Sequence, residues 1–577
     1  MRIDSSRRLA TIVASIAALF VLACNSPPAG ESADLVLRNG KVVTVDSAQP
    51  EAQAIAVRGY EIVAVGSDED IEPYIGDDTE VIDLAGRLAI PGFIEGHGHF
   101  MSLGRAQMIL DLTQVRNWDE IVAMVGTAAA DAPADAWITG RGWHQEKWDR
   151  LPDRTVDGVP LHDDLSAASP RNPVLLTHAS GHAAFANARA LELAGINGST
   201  PDPAGGEIVK DESGQPTGLL RETAQRLVSR VQGQADSART ADEILAERRR
   251  MVELAAEEAL AKGVTSFQDA GADFETIDFL KSLEAEGALP IRLYVMVRRE
   301  SNEELDRRLP EYFMPIEGND YLTVRSIKRQ IDGALGSHGA WLLAPYEDLT
   351  TSVGLTLEEP DDIEGTARVA IEHGFQVNTH AIGDRANREV LDIYERVFAE
   401  NPERTDLRWR IEHAQHVDPA DIPRFAQLGV IAAMQGIHGT SDGPWVLRRL
   451  GEERARTGAY MWRDLLESGA IIANGTDVPV EDIDPIASFH ASVSRVMSDG
   501  QSFYPEQRMT REEALHSYTL ANAYAAFEDE HKGSITPGKL ADIVVLSKDI
   551  MSVPDEEIRT ARVDITIVGG GVRYRRE

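Results

Sequence analysis

Apolar positions are grouped in two different ways along this chain. From Asp34 to Leu88 short β-rich runs alternate with turns. Short runs at Asp34–Leu37, Lys41–Val45, Ala54–Val57, Ile62–Val65 and Val81–Leu84 predict strands, with Asn39-Gly40 and Arg58-Gly59 supplying turn chemistry between them. The same style returns at Asp542–Leu546 and Val563–Val568. A few strands at either end cannot bury a face alone, so the two termini are expected to pair into one small β-domain. Between them strands alternate with helices. Thr240-Ala-Asp-Glu243 has capping-box spacing, and Ile244, Leu245, Val252, Ala255, Ala259 and Leu260 follow at helical spacing until Lys262-Gly263 stops the helix. Buried-strand candidates end near His99, Asp269, Val297, Lys328, His380, His413, Met434 and Asp477. Eight strands alternating with helices is the count of an α/β, (β/α)8 barrel.

The 165 residues from His99 to Val264 far exceed the roughly 30 of one βαβ unit, so a subdomain is inserted after the first barrel strand. The expected division is a signal segment over 1–23, a tether over 24–33, a split β-sandwich from 34–90 and 535–577, and a barrel over 91–534 whose insertion occupies about 105–235. In the signal segment, Arg2, Arg7 and Arg8 precede an apolar stretch from Leu9 to Ala23, too short and wrongly flanked for a stable membrane span. Cys24 is the only cysteine, which rules out an intramolecular disulfide or a cysteine-rich metal site. It directly follows Val21-Leu22-Ala23 and resembles the acylated cysteine of a bacterial lipoprotein; an ordinary secretory signal with an incidental cysteine is the competing reading. The lipoprotein reading implies an exported protein, lipid-anchored to a bacterial membrane and facing the periplasm.

Composition narrows the partners. With 94 Asp and Glu against 57 Lys and Arg the net charge is −37, which repels phosphate backbones and argues against a nucleic-acid partner. The membrane is reached only through the anchor, a small molecule is the expected ligand, and a homo-oligomer stays open.

The candidate chemistry lies at strand ends. In Pro91-Gly-Phe-Ile-Glu-Gly-His97-Gly-His99, alternation puts His97 and His99 on one face, about 6 to 7 Å apart along the strand, so that both imidazoles can reach one metal ion. His380, His413 and Asp477 each close a predicted strand at the C-terminal rim, where barrel enzymes place their active sites. A single strand-end His is commonly structural, and Asp477 could cap a helix. Four histidines and an aspartate on one rim, however, would bury uncompensated polar groups if they were mere packing. Lys328, on the fourth strand, reads either as a salt-bridged lysine or as an amine kept neutral by burial and nearby metal charge. A neutral amine can take up CO2 to form a carbamate that bridges two cations.

An ordered series of motifs runs from about Asp34 to the C-terminus: Gly140-Arg-Gly-Trp143, Gly181-His182, Gly218-Leu-Leu-Arg-Glu222, Asp332-Gly333, Ala381-Ile-Gly-Asp-Arg-Ala386, Ile411-Glu-His-Ala-Gln415, Gly475-Thr-Asp-Val-Pro479 and Gly538-Lys-Leu-Ala-Asp542. In these the chain resembles the amidohydrolase superfamily, in the amidohydrolase-3 type, YtcJ-like branch that includes N-substituted formamide deformylases. The resemblance implies a barrel with a split β-sandwich and one or two metal ions, most simply Zn2+, held by His97, His99, Lys328, His380, His413 and Asp477. Two departures stand out. Glu95 replaces the family's usual Asp before the His-x-His pair, and Ser337-His338-Gly339 replaces a Ser-Arg-Thr stretch.

The implied reaction is hydrolysis of a non-peptide C–N bond (amide, N-formyl or N-acyl amine) by a metal-activated hydroxide. Asp477 accepts the proton and returns it to the departing amine, or serves as a ligand only. Trp143 and His182 in the insertion and His438 after the seventh strand are candidate substrate contacts, with a core Trp and structural histidines as the alternative. Glu412 and His416 are read as supporting groups beside His413. Competing functions are an ester, lactone or cyclic amidine hydrolase, and a catalytically silent ligand-binding lipoprotein.

Overall fold

A computed structural model describes residues 32–236 and 239–577; the signal segment and Cys24 lie outside the described residues. Eight parallel strands form one sheet in chain order: β1 (Phe93–Gly98), β2 (Val264–Ala272), β3 (Arg292–Val297), β4 (Leu322–Gln330), β5 (Gln376–Ala381), β6 (Arg410–His413), β7 (Ile431–Gln435) and β8 (Ile472–Gly475). Their residues are buried almost throughout, as a sheet covered on both faces requires. The first and last strands meet at the rim, where Asp477 N donates to His97 O and His99 N to Val478 O, each at 2.8 Å. Their approach requires Gly96, because a Cβ there would lie 2.4 Å from the Asn474 carbonyl oxygen. The fold is thus an α/β barrel of eight strands with additional sheets.

The chain ends pair as the patterning implies, though into two sheets. Leu88–Pro91 runs antiparallel to Ile543–Leu546 in a six-stranded sheet, so N- and C-terminal segments share one ladder. A four-stranded sheet packs with it around Leu37, Ile55, Val57, Ala89, Ile543 and Ile567. Arg58-Gly59 leads into the hairpin of Ala54–Arg58 with Glu61–Gly66. Asn39-Gly40 makes no hairpin: Leu35–Arg38 belongs to the four-stranded sheet and Lys41–Val43 to the six-stranded one, so this turn carries the chain between layers. The short strands Leu88–Pro91 and Gly571–Arg575 lack a clean period of two.

The insertion folds around its own six-stranded sheet, in the order Gly206–Lys210, Pro216–Glu222, Ala183–Ala186, Val174–His178, Ile138–Trp143 and Leu110–Asp111. Thr240 caps the helix Ala241–Ala261 through a capping box with Glu243, and Gly263 follows it at φ +80°. Val252, Ala255, Ala259 and Leu260 are buried, whereas Ile244 and Leu245 in the first two turns are exposed, because the helix begins beyond the edge of the barrel core.

Candidate metal centre

The rim gathers side chains from five barrel strands. A cavity of about 560 Å³ above it is lined by His97, His99, Lys328, His380, His413 and Asp477, which brings all six sequence-predicted rim residues to one place. His97, His413 and Asp477 each offer a ligand atom within 4.8 Å of the others. His99 Nε2 is 3.3 Å and His97 Nε2 3.6 Å from Asp477 Oδ1, and the His380 and His413 rings have centroids 4.5 Å apart.

Local backbone geometry sets these positions. β1 ends at Gly98, and His99 opens the helix Phe100–Ala106, so the two imidazoles leave consecutive elements. His413 (φ +75°) and Asp477 (φ +59°) both lie in the left-handed region, which costs a non-glycine residue on the order of 1 kcal/mol or more and marks a position over-determined by its surroundings.

Hydrogen bonds on the far ring nitrogens fix which atoms face the cavity. His97 Nδ1 contacts the Glu412 carboxylate, leaving its Nε2 toward Asp477. His413 Nδ1 donates to Gln435 Oε1 at 2.8 Å; the amide nitrogen of Gln435 is directed to the Ala433 carbonyl, which fixes the amide orientation. Carboxylate and amide partners of this kind hold ligating imidazoles in the tautomer a metal needs. Glu412 is fully buried, and Arg410, equally buried, pairs with it and donates to Gly96 O.

The electrostatics favour the ligand-ready forms. Burial holds His97, His380 and His413 below the ordinary imidazole range and brings His99 down to about 4, so all four rings are neutral at pH 7. Burial opposes ionisation of Asp477, but the His99 contact and the surrounding imidazoles outweigh it and keep its carboxylate charged. Burial, reinforced by Arg298, lowers Lys328 to about 7. Buried His97 Nε2, His380 Nε2 and Asp477 Oδ1 make no well-aligned hydrogen bond, although His99 Nε2 lies 3.3 Å from Asp477 Oδ1 and Asp332 Oδ1 lies 3.4 Å from His380 Nε2. Two imidazole nitrogens and a carboxylate oxygen left unsatisfied in a polar cavity form the donor set of a divalent cation, and the residues present fit one.

The other predicted residues divide. His182 lines the cavity, and its Nδ1 lies 2.9 Å from Glu222 Oε2; burial disfavours its charged form, but that carboxylate outweighs the cost and raises its pKa. His438 lines an adjoining small recess that shares His380, His413 and Asp477. Trp143 reaches neither: it packs in the insertion core against Phe185, Trp148 and His178, with its Nε1 donating to Leu176 O at 2.8 Å. His416 is buried away from the cavity beside Tyr460. Glu95 accepts from Thr476 N at 2.6 Å and Thr476 Oγ1 at 3.1 Å, so the longer side chain at this position ties β1 to the end of β8. His338 pairs with Asp348 and lines a separate recess behind Trp143. Three contributors were not singled out from the sequence: Gln435, Glu222 as the partner of His182, and Arg298. Gln435 closes β7 and Arg298 follows β3, so position at a strand end was the signal that could have found both.

Comparison with known proteins agrees with this geometry. The amidohydrolase family model (Amidohydro_3) matches residues 80–574. The chain is 36% identical to Protein LONG AFTER FAR-RED 3 of Arabidopsis thaliana, over 95% of this chain and 93% of that protein. It is 31% identical to the putative amidohydrolase YtcJ of Bacillus subtilis, over 94% and 99% respectively, and 29% identical to the N-substituted formamide deformylase of Arthrobacter pascens, over 94% and 98%. Among solved structures, an uncharacterized metal-dependent hydrolase from Pyrococcus horikoshii superposes with a TM-score of 0.71 at 26% identity, covering 90% of this chain and 99% of that one. With the family model covering most of its length, the chain belongs to the amidohydrolase family.

Proposed function

We propose that this protein is a metal-dependent hydrolase of non-peptide C–N bonds in amides, N-formyl or N-acyl amines. The observation that carries the reading is the set of buried, unsatisfied donors on His97, His380 and Asp477 at the C-terminal rim of the barrel. His97, His99, His380, His413, Asp477 and Lys328 would hold one or two divalent ions, most simply Zn2+, with Lys328 as its carbamate. A cation there supplies Lewis-acid activation of water and of a substrate carbonyl. A relative named for formamide deformylation supports the choice of bond.

The chain's own groups supply the rest. Asp477, ionised in spite of its burial, takes a proton from the attacking water at a carboxylate oxygen and delivers it to the departing nitrogen. Water adds across the C–N bond, leaving a carboxylic acid and an amine. His182, whose charged form the Glu222 carboxylate favours, lies on the insertion side of the cavity, where its ring would donate to the carbonyl oxygen and stabilise charge that develops there. The insertion contributes Ser180, Gly181 and His182 to the cavity wall. We further propose that Cys24 is acylated and anchors the mature chain outside the cytoplasm; fatty-acid labelling that persists in Cys24→Ser would overturn it.

The deciding experiment is metal analysis of the purified protein, coupled to a screen against formamides, N-acyl amines and matched esters. The reading predicts one or two equivalents of metal and turnover of amides that chelation abolishes. Faster hydrolysis of esters than of every amide would move the bond. Full metal content with no turnover of any class would leave a binding protein.

A further inference from the structure

The cavity over the rim inverts the charge balance of the chain. The protein carries 94 acidic and 57 basic side chains, yet five arginines line this cavity against three carboxylates. Each of the three carboxylates is engaged: Glu222 with His182 at 2.9 Å, Glu358 with Arg329 at 3.7 Å, and Asp477 with His99 at 3.3 Å. Among the described residues, no carboxylate lies within ion-pair distance of Arg141 or Arg298, both partly buried in the cavity wall. Their hydrogen bonds go to neutral acceptors. Arg298 Nη2 donates to Gln330 Oε1 at 2.7 Å; Arg141 donates from Nε to Pro479 O at 3.3 Å and from Nη2 to Ala179 O at 2.9 Å. A guanidinium has five N–H donors, so each keeps donors for another partner.

Both guanidiniums are placed by the fold. Arg298 follows β3, with its backbone N–H bonded to Ala272 O at 2.8 Å. Its stem runs over Gly271 (φ +128°), where any Cβ would come within 2.5 Å of the Arg298 Cβ. Arg141 leaves the insertion's strand Ile138–Trp143, next to the edge of its sheet, and rests on the carbonyl of Pro479, two residues past Asp477. Any cation held at the rim adds to this positive field. Partly desolvated guanidiniums without counter-charges are costly unless an anion completes them, and planar carboxylates match their geometry.

We propose that the substrate carries a carboxylate, bound by Arg298 with Arg141, so that the molecules cleaved are N-acyl or N-formyl amino acids or similar amido acids rather than neutral amides. The inference rests on the hydrolase reading for the bond that is cut, and on the cavity alone for the anion. Arg298 and Arg141 act here as specificity residues and take no part in the proton transfers.

The test uses matched pairs: N-formyl and N-acetyl amino acids, and the same compounds with the carboxylate converted to a carboxamide. Two readouts are taken: kcat/KM on the metal-loaded full chain, and calorimetric binding to metal-loaded Asp477→Asn. The expected result is a preference for the acid of roughly 10- to 100-fold in both, as befits hydrogen bonds to a charged group. Added salt weakens the preference, Arg298→Gln and Arg141→Gln bring the ratio toward unity, and Arg298→Lys retains part of it. Equal or better use of the carboxamides by the wild type overturns the proposal. So does an equal loss on both compounds in Arg298→Gln, which would make that residue a counter-ion of a modified Lys328. Selective binding of the acids without turnover of any amide leaves the anion site standing and removes the hydrolase reading; turnover without selectivity does the reverse.

Discussion

Glu412 closes on His97 Nδ1 inside the barrel, and both side chains are essentially fully buried. The carboxylate is buried at 0% exposure only because Arg410, also at 0%, stands beside it. Burial alone would raise the pKa of Glu412; Arg410 first and His97 next hold it well below the usual carboxylate range. The pair thus does two things at once: it keeps a charge in the core and aims His97 Nε2 at the cavity.

Removing that carboxylate should cost in both currencies. Glu412→Gln is expected to lower metal affinity by roughly 10- to 100-fold, the usual effect of losing the partner that orients a ligating His. It also strands Arg410, so unfolding free energy should fall by about 3 to 5 kcal/mol. Metal titration and urea denaturation of the same preparation read the two effects. Unchanged metal affinity at reduced stability would assign the pair to folding alone.

Lys328 is expected to trade stability for chemistry. Among the described residues no carboxylate lies within ion-pair distance of its amine, and burial brings its pKa from 10.5 to about 7. The folded protein therefore binds fewer protons than the unfolded chain between pH 7 and 10.5, so its burial penalty is largest below 7 and shrinks as pH rises through that window. Lys328→Met should raise the melting temperature of the metal-free protein at pH 7 and abolish turnover. In the wild type, activity should increase with bicarbonate above pH 7, where the amine is neutral and able to form a carbamate. A variant that keeps full metal content and full rate would remove the carbamate from the mechanism.

Most of the barrel was legible because short strands alternate with helices and close at or beside a chemically telling residue such as His380 or His413, although the strands that carry these residues are themselves rich in polar side chains. The rim histidines and Asp477 followed from their position at strand ends, and Lys328 joined them as a ligand through the family resemblance. What the sequence could not give was contact across the structure. Glu412 and His97 are 315 residues apart, and nothing local to either distinguishes an orienting carboxylate from a core ion pair. Trp143 shows the converse. It closes a strand in a glycine-rich motif, as a pocket residue might, but its indole N–H is taken by Leu176 O and its ring by Phe185, Trp148 and His178. Asn39-Gly40 was a true turn in the wrong context, because whether a turn joins neighbours or crosses layers depends on partners far along the chain.

That placement of Trp143 has its own consequence. Trp143→Phe keeps most of the apolar ring but leaves the buried Leu176 carbonyl without its donor, an expected loss of about 1 to 3 kcal/mol. Because the ring touches neither the rim nor its cavity, kcat/KM at 25 °C should stay within a factor of about three, as a change of well under 1 kcal/mol in barrier implies. Steady-state kinetics beside thermal unfolding checks both. A large rise in KM without loss of stability would return Trp143 to the substrate pocket.

His416 gives the pH dependence a clean reporter. It is 2% exposed, both ring nitrogens lack hydrogen-bond partners, and burial first, then the Arg454 charge, brings its pKa from 6.5 to about 3. Below pH 6.5 the unfolded chain takes up a proton that the folded protein refuses until about pH 3. The stability contributed by the neutral ring is thus complete above 6.5 and lost progressively as pH falls toward 3, at a limiting slope of about 1.4 kcal/mol per pH unit. His416→Leu removes that proton without leaving a polar group unpaired, and its urea midpoint should fall less than the wild type's between pH 6.5 and 5. Parallel curves for the two proteins would mean that His416 titrates normally in the folded state, through local opening around Tyr460.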